Sequence, residues 1–302
     1  MKHFSLIFLL ALFLSHSVFC QMNLLERVAH HYADNDGVKI HYVTLGEGPV
    51  VLFLHGFPDY WFTWRDQLAA LSPDYKAVAM DLRGYNKSDH PEGVENYLFS
   101  KLISDVDAVV TNLQAESVYL VGHDWGAAIS WRYAMQYPDK VEKLVIMNVP
   151  HPQAGSKKES TAKSNQPNYA DRFVSEVFRS QLTEYWLSGW VKDTVAKKIY
   201  LEAFRRSDKD AMINYYKANY PTTENLKNEV FLNRPTNYSN LKMPVMIIHG
   251  KQDQYLPISG HNNTWDFVDH ELTIEVLPQA GHFVQQDESE KVTELIKHFI
   301  ER

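Results

Sequence analysis

The sequence predicts an α/β protein whose mostly parallel, doubly wound sheet is interrupted by one helical insertion. Two kinds of segment and one break carry that prediction. Short, continuously apolar runs at 49–55 and 244–250 have no polar face, as expected of strands covered by helices on both sides. Between such runs lie amphipathic segments near a 3.6-residue period, as at 97–113 with Leu98, Leu102, Val106, Val109, Val110 and Leu113. The alternation stops after Pro150, gives way to a polar, Tyr- and Trp-rich stretch to about Arg234, and resumes at Pro244. Strand–helix–strand units of this kind build a parallel sheet with right-handed crossovers.

Taken in order, segments 27–32 and 38–45 flank Asn35-Asp36-Gly37. An Asp-Gly pair between alternating runs signals a hairpin, because both central positions accept positive φ. The run 49–55 is the first buried strand; 64–71 reads as a helix, 75–82 as a strand and 97–113 as a helix. Residues 117–121 form a strand, 126–137 a helix and 143–148 a strand. After the break, 244–250 and 272–277 are strands, and 288–300 closes the chain as a helix with Val292, Leu295, Ile296 and Phe299 inward. The division expected is a core of 21–150 and 235–302 with a helical lid at 151–234. Ligands of open α/β sheets bind at the carboxyl ends of the strands, so an insertion there roofs that crevice. Residues 155–168, poor in apolar side chains, are expected to be mobile.

With 302 residues, 45% hydrophobic, the chain is long enough for a substantial core and too apolar for disorder. Thirty Lys and Arg against 37 Asp and Glu leave a net charge of −7, which offers no basic excess for neutralising nucleic-acid phosphates. The N-terminus has its own pattern. Lys2 and His3 precede an apolar run at 4–14, followed by smaller residues up to Cys20-Gln21. This describes a secretory signal peptide (1–20) cut after Cys20. The run is too short to cross ~30 Å of hydrocarbon, and no other run reaches ~18 apolar residues, so no stable membrane span is expected. A secreted or periplasmic location follows. A lipid anchor on Cys20 is disfavoured by the bulky Phe19 before it. Cys20 is the only cysteine, so the mature chain would hold its fold without disulfides.

The chemistry centres on Gly122-His123-Asp124-Trp125-Gly126, between a strand and a helix. Small residues on either side of an exposed one mark the sharp turn that lifts a nucleophile above such a sheet. Here the lifted residue is an aspartate. It is ionised at neutral pH, needs no base, and suits displacement at a saturated carbon to give a covalent ester. The competing role is a cap for the helix that follows. In this fold class the order along the chain is nucleophile, acid, histidine. Asp253, after the strand at 244–250, and His282, after the strand at 272–277, occupy the later two places. Asp253 would orient His282 and stabilise its charged form. Asn148, at the other strand end where an acid could stand, lacks a carboxylate. For the oxyanion, the turn His55-Gly56-Phe57-Pro58 supplies the Phe57 N–H, and the residue after the nucleophile supplies the Trp125 N–H.

These motifs, together with Asp81-Leu82-Arg83-Gly84-Tyr85-Asn86-Lys87-Ser88-Asp89, resemble the α/β-hydrolase fold and within it the epoxide hydrolases, over about 28–302. The resemblance implies two lid tyrosines that hold the epoxide oxygen and protonate it as the ring opens. Asn214-Tyr215-Tyr216-Lys217 matches the pattern for one, putting Tyr216 in that role; Tyr169, four residues before Phe173, is the other. It also implies a small apolar epoxide substrate, a pocket drawing on His55, Pro58, Trp125, Tyr215 and Phe283, and a vicinal diol product. Asn86 replaces a glycine common in the family, a position Asn tolerates because it can adopt the left-handed conformation. No metal or organic cofactor is expected, since neither metal-ligand spacing nor a phosphate-binding Gly-rich loop is present.

Two alternatives share the nucleophile. A haloalkane dehalogenase needs a second halide-binding group, which Phe57 cannot supply from its side chain. Phenols also fit an alkoxide leaving group, which takes a proton, better than a halide, which does not. Fluoroacetate dehalogenases use arginines where this chain has Trp125 and Ala128. Serine-type esterase chemistry is disfavoured by Asp124 itself. The third possibility is a non-catalytic binding module that retains the pocket and its aromatic lid (Tyr185, Trp186, Trp190, Tyr220).

Overall fold

Eight strands form one sheet in the order β1-β2-β4-β3-β5-β6-β7-β8, and all pairs from β3 onward are parallel. A computed structural model describes residues 24–154, 169–220 and 239–302, with the side chains of 169 and 170 excluded. The expected signal segment at 1–20, the stretch at 155–168 and the end of the insertion at 221–238 lie outside the described residues.

Strands β1 (Ala29–Asn35) and β2 (Val38–Leu45) make the expected hairpin, with Asp36 and Gly37 both at positive φ (52° and 85°). β2 pairs antiparallel with β4 (Lys76–Met80), and β4 pairs parallel with β3 (Val50–Leu54). At the centre are β3, β5 (Val118–His123), β6 (Val141–Met147) and β7 (Val245–Gly250), whose apolar side chains are almost entirely buried. β8 (Leu272–Leu277) is the edge strand and exposes Ile274 and Val276.

The core helices are α1 (Arg65–Leu71), α2 (Phe99–Asn112), α3 (Trp125–Gln136), α9 (Val284–Asp287) and α10 (Ser289–Glu301). Val292, Ile296, Phe299 and Ile300 of α10 recur at helical spacing and are buried. Two 3₁₀ turns, Trp61–Trp64 and Val94–Tyr97, precede α1 and α2, so both helices start later than their apolar patterns suggest.

The segment between β6 and β7 contributes α4 (Tyr169–Phe173), α5 (Glu176–Gln181), α6 (Glu184–Leu187), α7 (Thr194–Arg206) and α8 (Lys209–Asn219). Side-chain oxygens of Ser175, Thr183, Asp193 and Asp208 cap α5 to α8, accepting first-turn N–H groups that otherwise lack partners. The insertion is fastened to the loop after β4. Asp208 N–H donates to Gly84 O at 2.9 Å, Asn86 N–H to Ser207 Oγ at 2.8 Å, and Arg206 to Asn86 Oδ1 at 2.8 Å. Asn86 itself sits at φ 47°, the conformation expected for it in place of glycine.

That loop is pinned from below by a buried ion pair. Arg83, fully enclosed, donates through Nε and Nη2 to the two Asp105 oxygens at 2.6 and 2.5 Å and through Nη1 to Asn96 O at 2.6 Å. Removing one partner would leave the other charge buried and uncompensated. Asp105→Ala should therefore destabilise the fold by about 3–5 kcal/mol, read as a lower urea midpoint with an unchanged slope.

Candidate active site

The carboxyl ends of adjacent parallel strands bring separated residues to one place. Asp124 follows β5, Asn148 follows β6, Asp253 lies beyond β7 and His282 beyond β8. Asp124 sits at the junction of β5 and α3 with φ 50° and ψ −119°, a strained backbone for a residue with a side chain. Its side chain makes no capping hydrogen bond to α3. The turn requires glycines around it. A Cβ on Gly126 would lie 2.2 Å from Leu54 O, and one on Gly56 would lie 2.3 Å from the Asp124 Cβ.

Asp124 Oδ1 accepts the Phe57 N–H at 2.7 Å, and Oδ2 faces His282 Nε2 at 3.5 Å. Trp125 N–H, at the first position of α3, has no acceptor within its own helix. On its other side, His282 donates from Nδ1 to Asp253 Oδ2 at 2.8 Å. The Asp253 side chain is enclosed and held in place: Oδ1 accepts the Tyr255 N–H at 2.8 Å and the Leu256 N–H at 3.1 Å, and Oδ2 accepts Asn148 Nδ2. Asn148, set aside from the sequence as unable to act as the acid, thus supports the acid from the neighbouring strand.

The electrostatics follow from this line of charges. Burial alone would depress the His282 imidazole, but the hydrogen bonds and charges of Asp124 and Asp253 outweigh it and raise it to about 9. Burial likewise opposes ionisation of Asp124 and Asp253. The facing imidazolium, with the Phe57 amide on one carboxylate and Asn148 on the other, holds both below the ordinary carboxylate value. His123, buried beside Asp124, is lowered to about 4 by burial and the His282 charge. It is therefore neutral, donating from Nε2 to His282 O at 2.7 Å.

A cavity of about 650 Å³ opens over Asp124 and His282. Its walls include Phe57, Pro58, Trp125, Tyr216 and Phe283, as well as Phe99, Trp190 and Tyr255. Tyr216 stacks on Phe173 at 4.9 Å and meets Phe57 and Trp125 edge-on at 5.7 and 5.0 Å. Burial and the Asp124 charge raise its phenol well above the ordinary value, so it remains a proton donor. Tyr169 opens α4, but its side chain lies outside the described residues. Among the described residues, no group of His, Cys, Asp and Glu could hold a metal ion, and no helix is long and apolar enough to cross a membrane.

Two residues expected in the pocket wall lie outside it. His55 is enclosed below the floor, where Nδ1 donates to Gly56 O at 2.8 Å and Nε2 accepts the Leu82 N–H at 3.0 Å. Both ring nitrogens are spent on holding the turn at 55–58 against the loop after β4. Tyr215 is fully buried and donates to Arg83 O at 2.8 Å. Adjacent helical residues point about 100° apart, so the turn of α8 that aims Tyr216 at the cavity aims Tyr215 into the core. Phe99 and Tyr255, in turn, carry no motif; only the packing of α2 and of the loop after β7 reveals them.

Residues 49–289 match the family described as alpha/beta hydrolase fold. Epoxide hydrolase 1 of Caenorhabditis elegans is 32% identical, over 93% of this chain and 72% of its own length. Human Epoxide hydrolase 4 is 29% identical over 88% and 76%. An epoxide hydrolase from Bacillus megaterium, solved as a variant with its product, a naphthyloxy-propane-1,2-diol, superposes with TM-score 0.80 at 31% identity. That match covers 90% of this chain and 100% of the other. One from Vigna radiata superposes with TM-score 0.75 at 27% identity, over 91% and 99%.

Two measurements test these electrostatics. His282 should titrate near pH 9 by NMR of labelled histidine, and Asp124→Asn should bring it down by about one unit or more. Next to the cavity, Asp59 is fully enclosed, and burial raises its carboxyl from 3.8 to about 7. A raised carboxyl contributes full stability below its unfolded value and loses it as pH rises through the folded one, up to roughly 4 kcal/mol here. Asp59→Asn should thus raise Tm more at pH 8 than at pH 5.

Proposed function

Because the chain belongs to the α/β-hydrolase fold family, and within it to the epoxide hydrolases, we propose that it converts an epoxide to a vicinal diol through a covalent ester on Asp124. The observation that carries this reading is the division of labour on that carboxylate. Oδ1 is bound to the Phe57 amide while Oδ2 is presented to the cavity side facing His282. Oδ2 attacks an epoxide carbon, the ring C–O bond breaks, and the developing alkoxide takes a proton from Tyr216, with Tyr169 as its partner.

Esterification removes the Asp124 charge, one of the two that hold His282 protonated. The imidazolium then returns a proton to the phenolate and becomes a base. It takes a proton from water, whose oxygen adds to the ester carbon. The charge that develops on Oδ1 is received by the Phe57 amide already bound to it, with the Trp125 amide as the second donor. Collapse breaks the bond between the ester carbon and Oδ2, and the diol departs carrying Oδ2, protonated by His282. The Asp124 acid then returns its proton to His282. The aromatic walls suit an apolar epoxide, and the diol in the Bacillus megaterium structure is of that kind.

For residues 1–20 we propose export with cleavage after Cys20, which predicts a mature chain beginning at Gln21 when secreted protein is analysed by intact mass.

With enzyme in excess over 1-naphthyl glycidyl ether in heavy-oxygen water, one turnover should give diol without label, and the label should appear in the Asp124 peptide. A labelled diol would refute the ester. His282→Gln should accumulate the adduct as a stable mass increase, with hydrolysis slowed by at least ~10²-fold.

A further inference from the structure

One hydroxyl joins three parts of the molecule that the chemistry uses. Tyr200, on α7 of the insertion and fully buried, donates to Asp59 Oδ1 at 2.8 Å. The Tyr200 hydroxyl oxygen in turn accepts Gln286 Nε2 at 3.0 Å. Asp59 lies two residues after Phe57, the amide that meets Asp124. Its Oδ1 also accepts the Tyr60 N–H at 2.8 Å, while Oδ2 is buried without a hydrogen-bond partner. Gln286 is in the helix that begins just after His282, and it also donates to Thr63 Oγ1 at 2.8 Å.

Packing supports the same junction. Tyr200 meets the Tyr60 ring edge-on at 4.9 Å and the Trp190 ring at 5.2 Å, and Trp190 stacks on Phe283 at 3.8 Å. Without the hydroxyl, the Oδ1 of a buried acid loses one of its two donors and the half-buried Gln286 amide loses one of its acceptors. Either would let the turn at 57–60 and the start of α9 relax independently.

We propose that Tyr200 and Asp59 are positioning residues that lock the insertion onto the turn bearing the Phe57 amide, so that lid placement governs ester hydrolysis more than ester formation. The inference rests on the ester reading above. The asymmetry comes from where charge moves. During attack on the epoxide, Asp124 loses negative charge, and a displaced Phe57 amide costs little. During attack of water on the ester, Oδ1 gains a full charge, and the same displacement weakens the bond that receives it.

The test is a rapid-mix, acid-quench experiment with 1-naphthyl glycidyl ether, following the ester on the intact protein by mass. Tyr200→Phe should slow ester decay roughly tenfold, a fraction of the ~10²–10³ lost with a whole donor, while ester formation changes less than about threefold, so the adduct accumulates at steady state. Asp59→Ala should behave alike. Asp59→Asn keeps an acceptor for Tyr200 and should restore the wild-type partition. Thermal midpoints are recorded for each. A lower Tm with an unchanged partition, or equal slowing of both steps, overturns the proposal and shows a purely structural contact while the ester mechanism stands. Absence of any adduct, in the wild type and in His282→Gln alike, overturns the ester reading and this inference with it.

Discussion

The structure is organised around one imidazolium held between two carboxylates. His282 sits 2.8 Å from Asp253 and 3.5 Å from Asp124, with little access to water. Three charged groups in such a place are costly to desolvate unless each is matched. Each is matched here by groups the sheet delivers: backbone amides and Asn148 on Asp253, the Phe57 amide on Asp124, and the two anions on His282. The arrangement needs Asp124 at a positive φ, and that in turn needs glycines at 56, 122 and 126 where side chains would strike backbone or Asp124. Backbone strain, glycine placement and charge balance are one problem with one solution.

The surroundings of that line divide by protonation. Buried histidines beside it, His55 and His123, are driven neutral and act as fixed donors and acceptors for backbone groups. Tyr216 is kept protonated by burial and the Asp124 charge. The result is a cavity where one carboxylate is ionised, one phenol holds its proton, and the charge of one imidazole depends on the two carboxylates beside it.

The insertion contributes more than a roof. Its helices are tied to the core by polar contacts at several points, two of which bear on the site's supports. Near Gly84 and Asn86, backbone and Arg206 secure the loop after β4. At Tyr200, one hydroxyl reaches both Asp59, two residues after Phe57, and the helix after His282. Apolar packing alone would let the layers slide; directional hydrogen bonds set their register.

The order of strands and helices, the hairpin turn at Asp36-Gly37 and the elbow around Asp124 could be read from the sequence, because each depends on local rules: side-chain periodicity, positive φ and close approach of backbones. The chain order of Asp124, Asp253 and His282 belongs to the same class, since strand ends in a parallel sheet converge whatever the loops between them. What could not be read was which face a residue presents. Tyr215 and Tyr216 are adjacent and alike, and only the rotation of α8 against Arg83 decides that one fills the core and the other meets the cavity. His55 stands in the oxyanion motif but turns down to Leu82, while Phe99, Tyr255 and the Tyr200 hydroxyl come to the site from segments without a signature. Sequence alone determined the elements and which polar residues meet at the strand ends, because those follow from short-range sterics and chain order. The wall, the roof and their fastening were decided by tertiary structure, because long-range packing chooses among side chains that local rules leave equivalent.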